Sequence, residues 1–343
     1  MEIKTYPWQA ELLASLNELK DRLPNGILVY GPRGIGTFDA VHAFAKNLLC
    51  ESPDLDGSAC GHCHGCHMFD AHTHPDIRYV VSEAESVPRE LPFTPPDNAT
   101  DDRKNLYREI LIYQTRALAD FLNLTSHEGG KRVVIVYPAD MIRAEAAASL
   151  LKNLEEPPEE TVFLLVTDEI DRVLPTIRSR CRLIRARVPT KQESLAWLQS
   201  QGVADAERKL VEAGGMPLSV FDQDPRFYLA PDLRDKILDV LGQGKNANAS
   251  DVIDSVGRDV TLSAAALLFS RWAWDLASVR EGAEPRYYPE RANALQKVAA
   301  EAPAAGLYMW INSVRDVRRV ASHPLNAKTV IEALLLSYQR CLA

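Results

Sequence analysis

Short apolar runs alternate with stripes of helical spacing along the first half of the chain. Gly26-Ile27-Leu28-Val29, Ile77-Arg78-Tyr79-Val80-Val81, Val133-Val134-Ile135-Val136, Val162-Phe163-Leu164-Leu165-Val166 and Leu183-Ile184-Arg185-Ala186 read as strands. The third and fourth are apolar throughout, as expected of central parallel strands covered on both faces. Helical spacing fills the intervals: over 5–23 (Leu12, Leu16, Leu19, Leu23), over 40–49, over 106–124 (Ile110, Tyr113, Leu118, Phe121, Leu122) and over 142–154. The last of these stops before Glu155-Glu156-Pro157-Pro158, because a residue preceding proline is disfavoured in the helical region. Such alternation predicts an α/β domain built on a parallel sheet. The stretch 82–105 is rich in proline and acid and lacks a period, which predicts a flexible surface loop.

From 190 to 230 short helical patterns are punctuated by Gly202, Gly214-Gly215 and Pro217, the mark of a small helical unit. Beyond Pro231 three stripes recur: Leu262, Phe269, Trp272, Leu276, Val279; Leu307, Trp310, Ile311, Val314, Val317; and Val330, Ile331, Leu334, Leu335, Tyr338. They predict a helical bundle packed on those faces, with a glycine- and asparagine-rich loop at 242–258. The expected domains are therefore 1–188, 189–230 and 231–343, a division that a chain of 343 residues accommodates.

Composition narrows this little: 46% hydrophobic and 25% charged residues are ordinary globular values. A net charge of −8, from 39 basic and 47 acidic residues, argues against coating nucleic acid through global charge. Met1-Glu2-Ile3-Lys4 opens no signal-peptide core and no run of about 18 apolar residues follows, so a cytoplasmic protein without membrane contact is expected.

Three groups carry candidate chemistry. After the first strand comes Tyr30-Gly31-Pro32-Arg33-Gly34-Ile35-Gly36-Thr37-Phe38, a glycine-rich turn entering a helix. That layout cradles phosphates with backbone N–H groups and the helix dipole. A working phosphate loop reads G-x-x-x-x-G-K-[ST]. Gly31 and Gly36 keep the spacing and Gly34 lies between, but Thr37 stands at the lysine position and Phe38 at the hydroxyl position. The central strand should end in an acid for Mg²⁺. Tyr137-Pro138-Ala139-Asp140 follows it instead. With two catalytic elements missing, hydrolysis is not expected. Two readings of the turn stand: a bare strand-to-helix connection, or an ATP/ADP site that binds without hydrolysing.

Four of the six cysteines, Cys50, Cys60, Cys63 and Cys66, lie within 17 positions. Their spacing fits a closed tetrahedral Zn²⁺ site of structural role, with Gly57, Gly61 and Gly65 easing the wrap and His62, His64 and His67 as candidate substitutes. Cys181 and Cys341 stand apart as inert thiols. The third group is Pro175-Thr176-Ile177-Arg178-Ser179-Arg180-Cys181, before the last strand, where an arginine alone reads as a solvated or paired side chain.

In order, Gly31-Pro32-x-Gly34-x-Gly36, the cysteine quartet, Ala146-Ala147-x-Ser149-Leu150-Leu151-Lys152-x-Leu154-Glu155-Glu156-Pro157-Pro158, Thr167 and Ser179-Arg180-Cys181 resemble the bacterial clamp-loader subunits of the AAA+ family. The likeness covers most of the first 230 or so residues. It implies a P-loop NTPase-like (AAA+) parallel-sheet domain over 1–188 with a zinc module at 50–66, a small helical lid at 189–230 and an all-α collar at 231–343. The departures at Thr37-Phe38 and Tyr137-Pro138, and the lack of an arginine in Gly214-Gly215-Met216-Pro217-Leu218, match the family's non-hydrolysing members. In that family the Ser-Arg-Cys arginine contacts the γ-phosphate of ATP held by a neighbouring motor subunit; by position this is Arg180. The implied partners are gamma/tau and delta subunits in a hetero-pentamer, and through it a sliding clamp and primed DNA. The rival readings are an ATP-hydrolysing motor subunit with an unconventional site, and a zinc-dependent nucleic-acid-binding module. The latter is opposed by the absence of Lys/Arg between Lys46 and Arg78.

Overall fold

The five apolar runs form β1 (Gly26–Tyr30), β2 (Ile77–Val81), β3 (Arg132–Tyr137), β4 (Thr161–Thr167) and β5 (Arg182–Arg185). The computed structural model describes residues 5–96, 106–123, 130–222, 224, 227–321 and 325–343. All strand pairs are parallel, in the order β2-β3-β4-β1-β5. β3 and β4 are buried from end to end, which is what their unbroken apolar runs require. β5 is an edge strand and exposes Arg182, Leu183 and Arg185. Register sets Tyr30 opposite Thr167 and Val136 opposite Leu165, so the C-terminal ends of β1, β3 and β4 gather at one edge of the sheet.

By contacts the chain divides into Met1–Ser200 and Gln201–Ala343. The first unit carries α1 (Ala10–Asn17), α2 (Thr37–Leu49), α3 (His64–Asp70), α4 (Glu83–Ser86), α5 (Ile112–Arg116), α6 (Leu118–Asn123), α7 (Ala144–Glu155), α8 (Pro175–Arg178) and α9 (Lys191–Ser200). Ala146, Ala147, Leu150 and Leu154 of α7 and Phe121 and Leu122 of α6 pack on Leu28, Val134, Val136, Phe163 and Leu165 of the sheet. Each such leucine or phenylalanine removed from water contributes about 1.5–3 kcal/mol.

Three expectations change in the first unit. The helix over 5–23 shrinks to α1, flanked by 3₁₀ turns at Pro7–Gln9 and Lys20–Arg22, and Leu19 and Leu23 are only half-buried. The helix over 106–124 becomes α5 and α6. Gln114 Oε1 accepts the Leu111 N–H at 3.0 Å and starts α5 there, while Ile110 bridges Ile142. The loop over 82–105 is packed at its start. Ser82, Glu83, Glu85 and Ser86 are buried, α4 runs into a 3₁₀ turn at Val87–Arg89, and Ser82 N–H donates to Tyr137 O at 3.1 Å. Residues 97–105 of that stretch, with 124 and 129 of the next, lie outside the described residues.

The second unit holds α10 (Ala206–Glu212), α11 (Pro231–Leu241), α12 (Ser250–Ile253), α13 (Leu262–Arg280), α14 (Ala292–Glu301), α15 (Ala304–Arg319) and α16 (Ala327–Leu342). The three stripes meet in one core around Trp272, Trp310 and Tyr338. Tyr338 there donates to Leu241 O at 2.8 Å and accepts from Trp272 Nε1 at 3.2 Å. The loop expected at 242–258 contains a 3₁₀ turn and α12, and its Ala247, Ala249, Val252 and Val256 belong to that core. Among the described residues no helix is long and apolar enough to cross a membrane.

Candidate functional site

The glycine turn leaves the C-terminal end of β1 beside β4, with Gly31 N–H donating to Thr167 O at 3.3 Å. Gly34 and Gly36 adopt φ of +87° and +78°, conformations that cost side-chain-bearing residues strain. A Cβ on Gly36 would also stand 2.6 Å from Gln9 Nε2 and from the Tyr6 ring. That closeness reflects a seal formed by the N-terminal segment. Trp8 Nε1 donates to Ile35 O at 2.8 Å and Gln9 Nε2 to Gly36 O at 2.6 Å, while Gln9 Oε1 accepts the Tyr6 N–H at 3.1 Å. Tyr6 stacks on Trp8 at 5.2 Å, and Trp197 of α9 sets its edge against both rings.

On the phosphate side the turn is filled by its own chain. Thr37 is buried and its Oγ1 has no hydrogen-bond partner among the described residues. The Phe38 ring lies 5.1 Å from Tyr137, and the Arg89 guanidinium sits 5.0 Å from the centroid of each. Arg89 pairs with Glu85 at 2.7 Å, and Arg33, from the turn itself, approaches Glu85 at 3.6 Å. Burial opposes the charge on Arg89, but the paired Glu85 carboxylate, helped by Asp39, outweighs it and holds the guanidinium protonated. Tyr137 donates to Asp168 Oδ2 at 3.2 Å; burial keeps it a phenol well beyond its ordinary range. Burial also pushes the Asp168 carboxyl up to about 7, with Arg33 pulling the other way. Thr167 Oγ1 donates to Asp140 Oδ1 at 2.6 Å. Where a working site needs an amine, a metal-binding hydroxyl and a strand-end carboxylate, there are a threonine, two aromatic rings and a resident cation.

The four cysteines come together as their spacing predicts. Cys50 follows α2 and Cys63 caps α3, its Sγ accepting the Cys66 N–H at 3.3 Å. Cys50 Sγ similarly accepts from Cys60 N at 3.3 Å, and Cys60 Sγ from Cys63 N at 3.4 Å. All four Sγ atoms lie within 4.8 Å of one another, with Cys50 to Cys60 at 3.6 Å and Cys50 to Cys63 at 3.8 Å. A tetrahedral centre with metal–sulfur bonds of about 2.3 Å needs sulfurs about 3.8 Å apart, so this set could hold a metal ion. Burial raises the Cys50 and Cys66 thiols. At Cys63 burial also pushes up, but the N–H groups of Cys66 and Glu51 prevail and bring it to about 6. A Cβ on Gly65 would meet Leu49 O at 2.8 Å, so glycine is needed for the close approach of α3 to the end of α2. His62, His64 and His67 are not members of this four-ligand group.

Arg180 follows α8 at the N-terminal end of β5, beside the Gly26 end of β1. The turn at Gly31, Gly34 and Gly36 leaves the other end of that strand, about 16 Å along it. The structure thus separates Arg180 from its own chain's glycine turn at Gly31–Gly36. Its guanidinium binds inward: Nε to Glu155 Oε1 at 2.5 Å, Nη2 to the same carboxylate, and Nη1 to Thr176 O at 2.9 Å and Ser179 Oγ at 3.3 Å. The sequence reading singled out neither Glu155 as its partner nor Glu85 and Arg89 in the turn. A four-residue helix leaves no period to read, and only the spacing Glu85-x-x-x-Arg89 hinted at a helical ion pair.

A sequence profile for the family described as DNA polymerase III, delta subunit, matches residues 8–190. A Pseudomonas aeruginosa protein described as DNA polymerase III subunit delta' is 35% identical over 218 residues, covering 62% of this chain and 60% of that one. An Escherichia coli protein of the same description is 33% identical over 232 residues, covering 65% and 62%. The chain therefore spans about three fifths of the length of these relatives. A solved DNA polymerase III, gamma subunit-related protein from Thermotoga maritima superposes with a TM-score of 0.45 at 17% identity, covering 96% of this chain and 99% of that one.

Proposed function

From the premise that the chain belongs to the delta' family of DNA polymerase III subunits, we propose that it is a clamp-loader subunit that does not hydrolyse ATP itself. It joins gamma/tau and delta subunits in a hetero-pentamer that opens a sliding clamp and places it on primed DNA. Arg180 acts in trans on ATP held by a neighbouring motor subunit. An arginine suits that task because its guanidinium is planar, permanently charged and able to neutralise charge growing on a transferred phosphoryl group. Residues 189–230 serve as the lid and 231–343 as the oligomerising collar. Cys50, Cys60, Cys63 and Cys66 hold a structural Zn²⁺: four thiolates complete the coordination shell and leave no position for a reactive water.

The observation that carries the silent-site reading is the Phe38–Arg89–Tyr137 stack. It fills the phosphate side of the turn with a cation already paired to Glu85. This favours the turn as a connection only, and disfavours both an ATP/ADP site and the motor-subunit reading. The test is to purify the chain alone and together with gamma/tau and delta subunits. The expected outcome is a stable five-subunit complex and background ATP hydrolysis by the isolated chain. Hydrolysis above background, abolished by substitution within the turn, would contradict the silent site.

A further inference from the structure

We infer that Glu155 is a positioning residue that holds Arg180 in a stored pose and competes with an incoming phosphate for its guanidinium; this rests on the trans role proposed for Arg180. Every nitrogen of the Arg180 guanidinium is engaged within the chain. Nε and Nη2 face the Glu155 carboxylate, and Nη1 is held by Thr176 O and Ser179 Oγ. Of the two paired faces of the fork, Glu155 occupies Nε with Nη2, and the Nη1 of the other is held by Thr176 O and Ser179 Oγ, so a phosphate making a paired, planar contact meets one of these partners on either face. An arginine so engaged must release the carboxylate before it can make the same contact across a subunit interface.

The position of Glu155 suits a releasable partner. It is the last residue of α7, followed by Glu156-Pro157-Pro158, so the carboxylate stands at a helix end rather than within a packed face. Its side chain is 49% exposed and that of Arg180 34% exposed. Solvent therefore screens the pair, and its opening costs little. The apolar face of α7, by contrast, is fixed along its length: Ala146, Ala147, Leu150 and Leu154 are buried against the sheet. The carboxylate thus has a rigid base and an exposed tip. A phosphate group carrying more negative charge than one carboxylate displaces it only when a neighbour brings that group within reach. The pair would then suppress hydrolysis in complexes whose subunits have not closed.

The experiment uses the reconstituted complex with the chain carrying Glu155→Gln, Glu155→Asp or Arg180→Ala, and the Glu155→Gln/Arg180→Ala pair. Glu155→Gln should raise the DNA-independent ATPase roughly two- to fivefold, the range expected for loss of an exposed ion pair. The DNA-stimulated rate should stay near wild type, so the stimulation ratio falls. The gain should shrink at high salt, where the wild-type pair is itself screened. Glu155→Asp should behave as wild type, and Glu155→Gln should add nothing on the Arg180→Ala background. A merely structural Glu155 would lower both rates and persist in the double variant, which overturns the inference. An unmoved or lowered DNA-independent rate in Glu155→Gln, where Arg180→Ala still cuts the stimulated rate, overturns this inference alone. If Arg180→Ala leaves the stimulated rate intact, the trans role fails and this inference falls with it.

Discussion

Asp168 is half-buried, close to Tyr137, Arg33, Glu85 and Asp140, and the loss of surrounding water pushes its carboxyl up to about 7. The folded chain therefore binds this proton more tightly than the unfolded chain, whose aspartates titrate near pH 4. The stabilisation is complete below about pH 4 and is lost as pH rises towards 7. Asp168→Asn removes that titration while keeping a side chain that can accept from Tyr137. In denaturant unfolding across pH 4 to 7, wild type should lose stability relative to Asp168→Asn, by up to about 1.4 kcal/mol per pH unit. Parallel stability curves would show that Asp168 is ionised in the folded protein. The unusual identities of Thr37, Phe38, Tyr137 and Pro138 were legible in the sequence, because a phosphate loop fixes which positions must carry which groups. What fills the resulting space was not, since Arg89 reaches Phe38 from 51 positions away through a fold that no local pattern encodes.

Among elements, the strands were readable and the short helices were not, for a physical reason. β3 and β4 are buried on both faces, so their interior positions are apolar and the signal is continuous between the buried polar ends Arg132, Thr161 and Thr167. α4 has four residues, and an ion pair and backbone hydrogen bonds hold it rather than an apolar stripe. The cysteine module sits between these cases. Its ligand spacing was legible, whereas its N–H···S hydrogen bonds and the close approach at Gly65 emerge only in three dimensions. If the module holds zinc, elemental analysis of the purified chain should find about one Zn²⁺ per molecule, and Cys66→Ser should lose most of it. Chelation should lower the thermal midpoint, because metal bound only by the folded state stabilises that state. Metal-free protein that melts where the loaded protein does would refute a structural ion.

In the whole molecule, the C-terminal unit was the most legible part, because α13, α15 and α16 each run 16 residues or more and repeat their apolar stripe over several turns. The role proposed for Arg180 was carried in the sequence by resemblance alone. The structure adds that Arg180 stands at the opposite end of β1 and β5 from the glycine turn, bound to Glu155. A side chain there serves its own turn poorly, which is the geometry expected of a residue that works on another subunit's nucleotide. The most direct measurement is therefore the DNA-stimulated ATPase of the reconstituted complex carrying Arg180→Ala, with assembly verified by co-elution. An arginine finger contributes about 10³–10⁵ to turnover at the site it completes. The expected result is an intact complex that has lost the hydrolysis of one site, whereas an intact complex hydrolysing at the wild-type rate would contradict the trans role of Arg180.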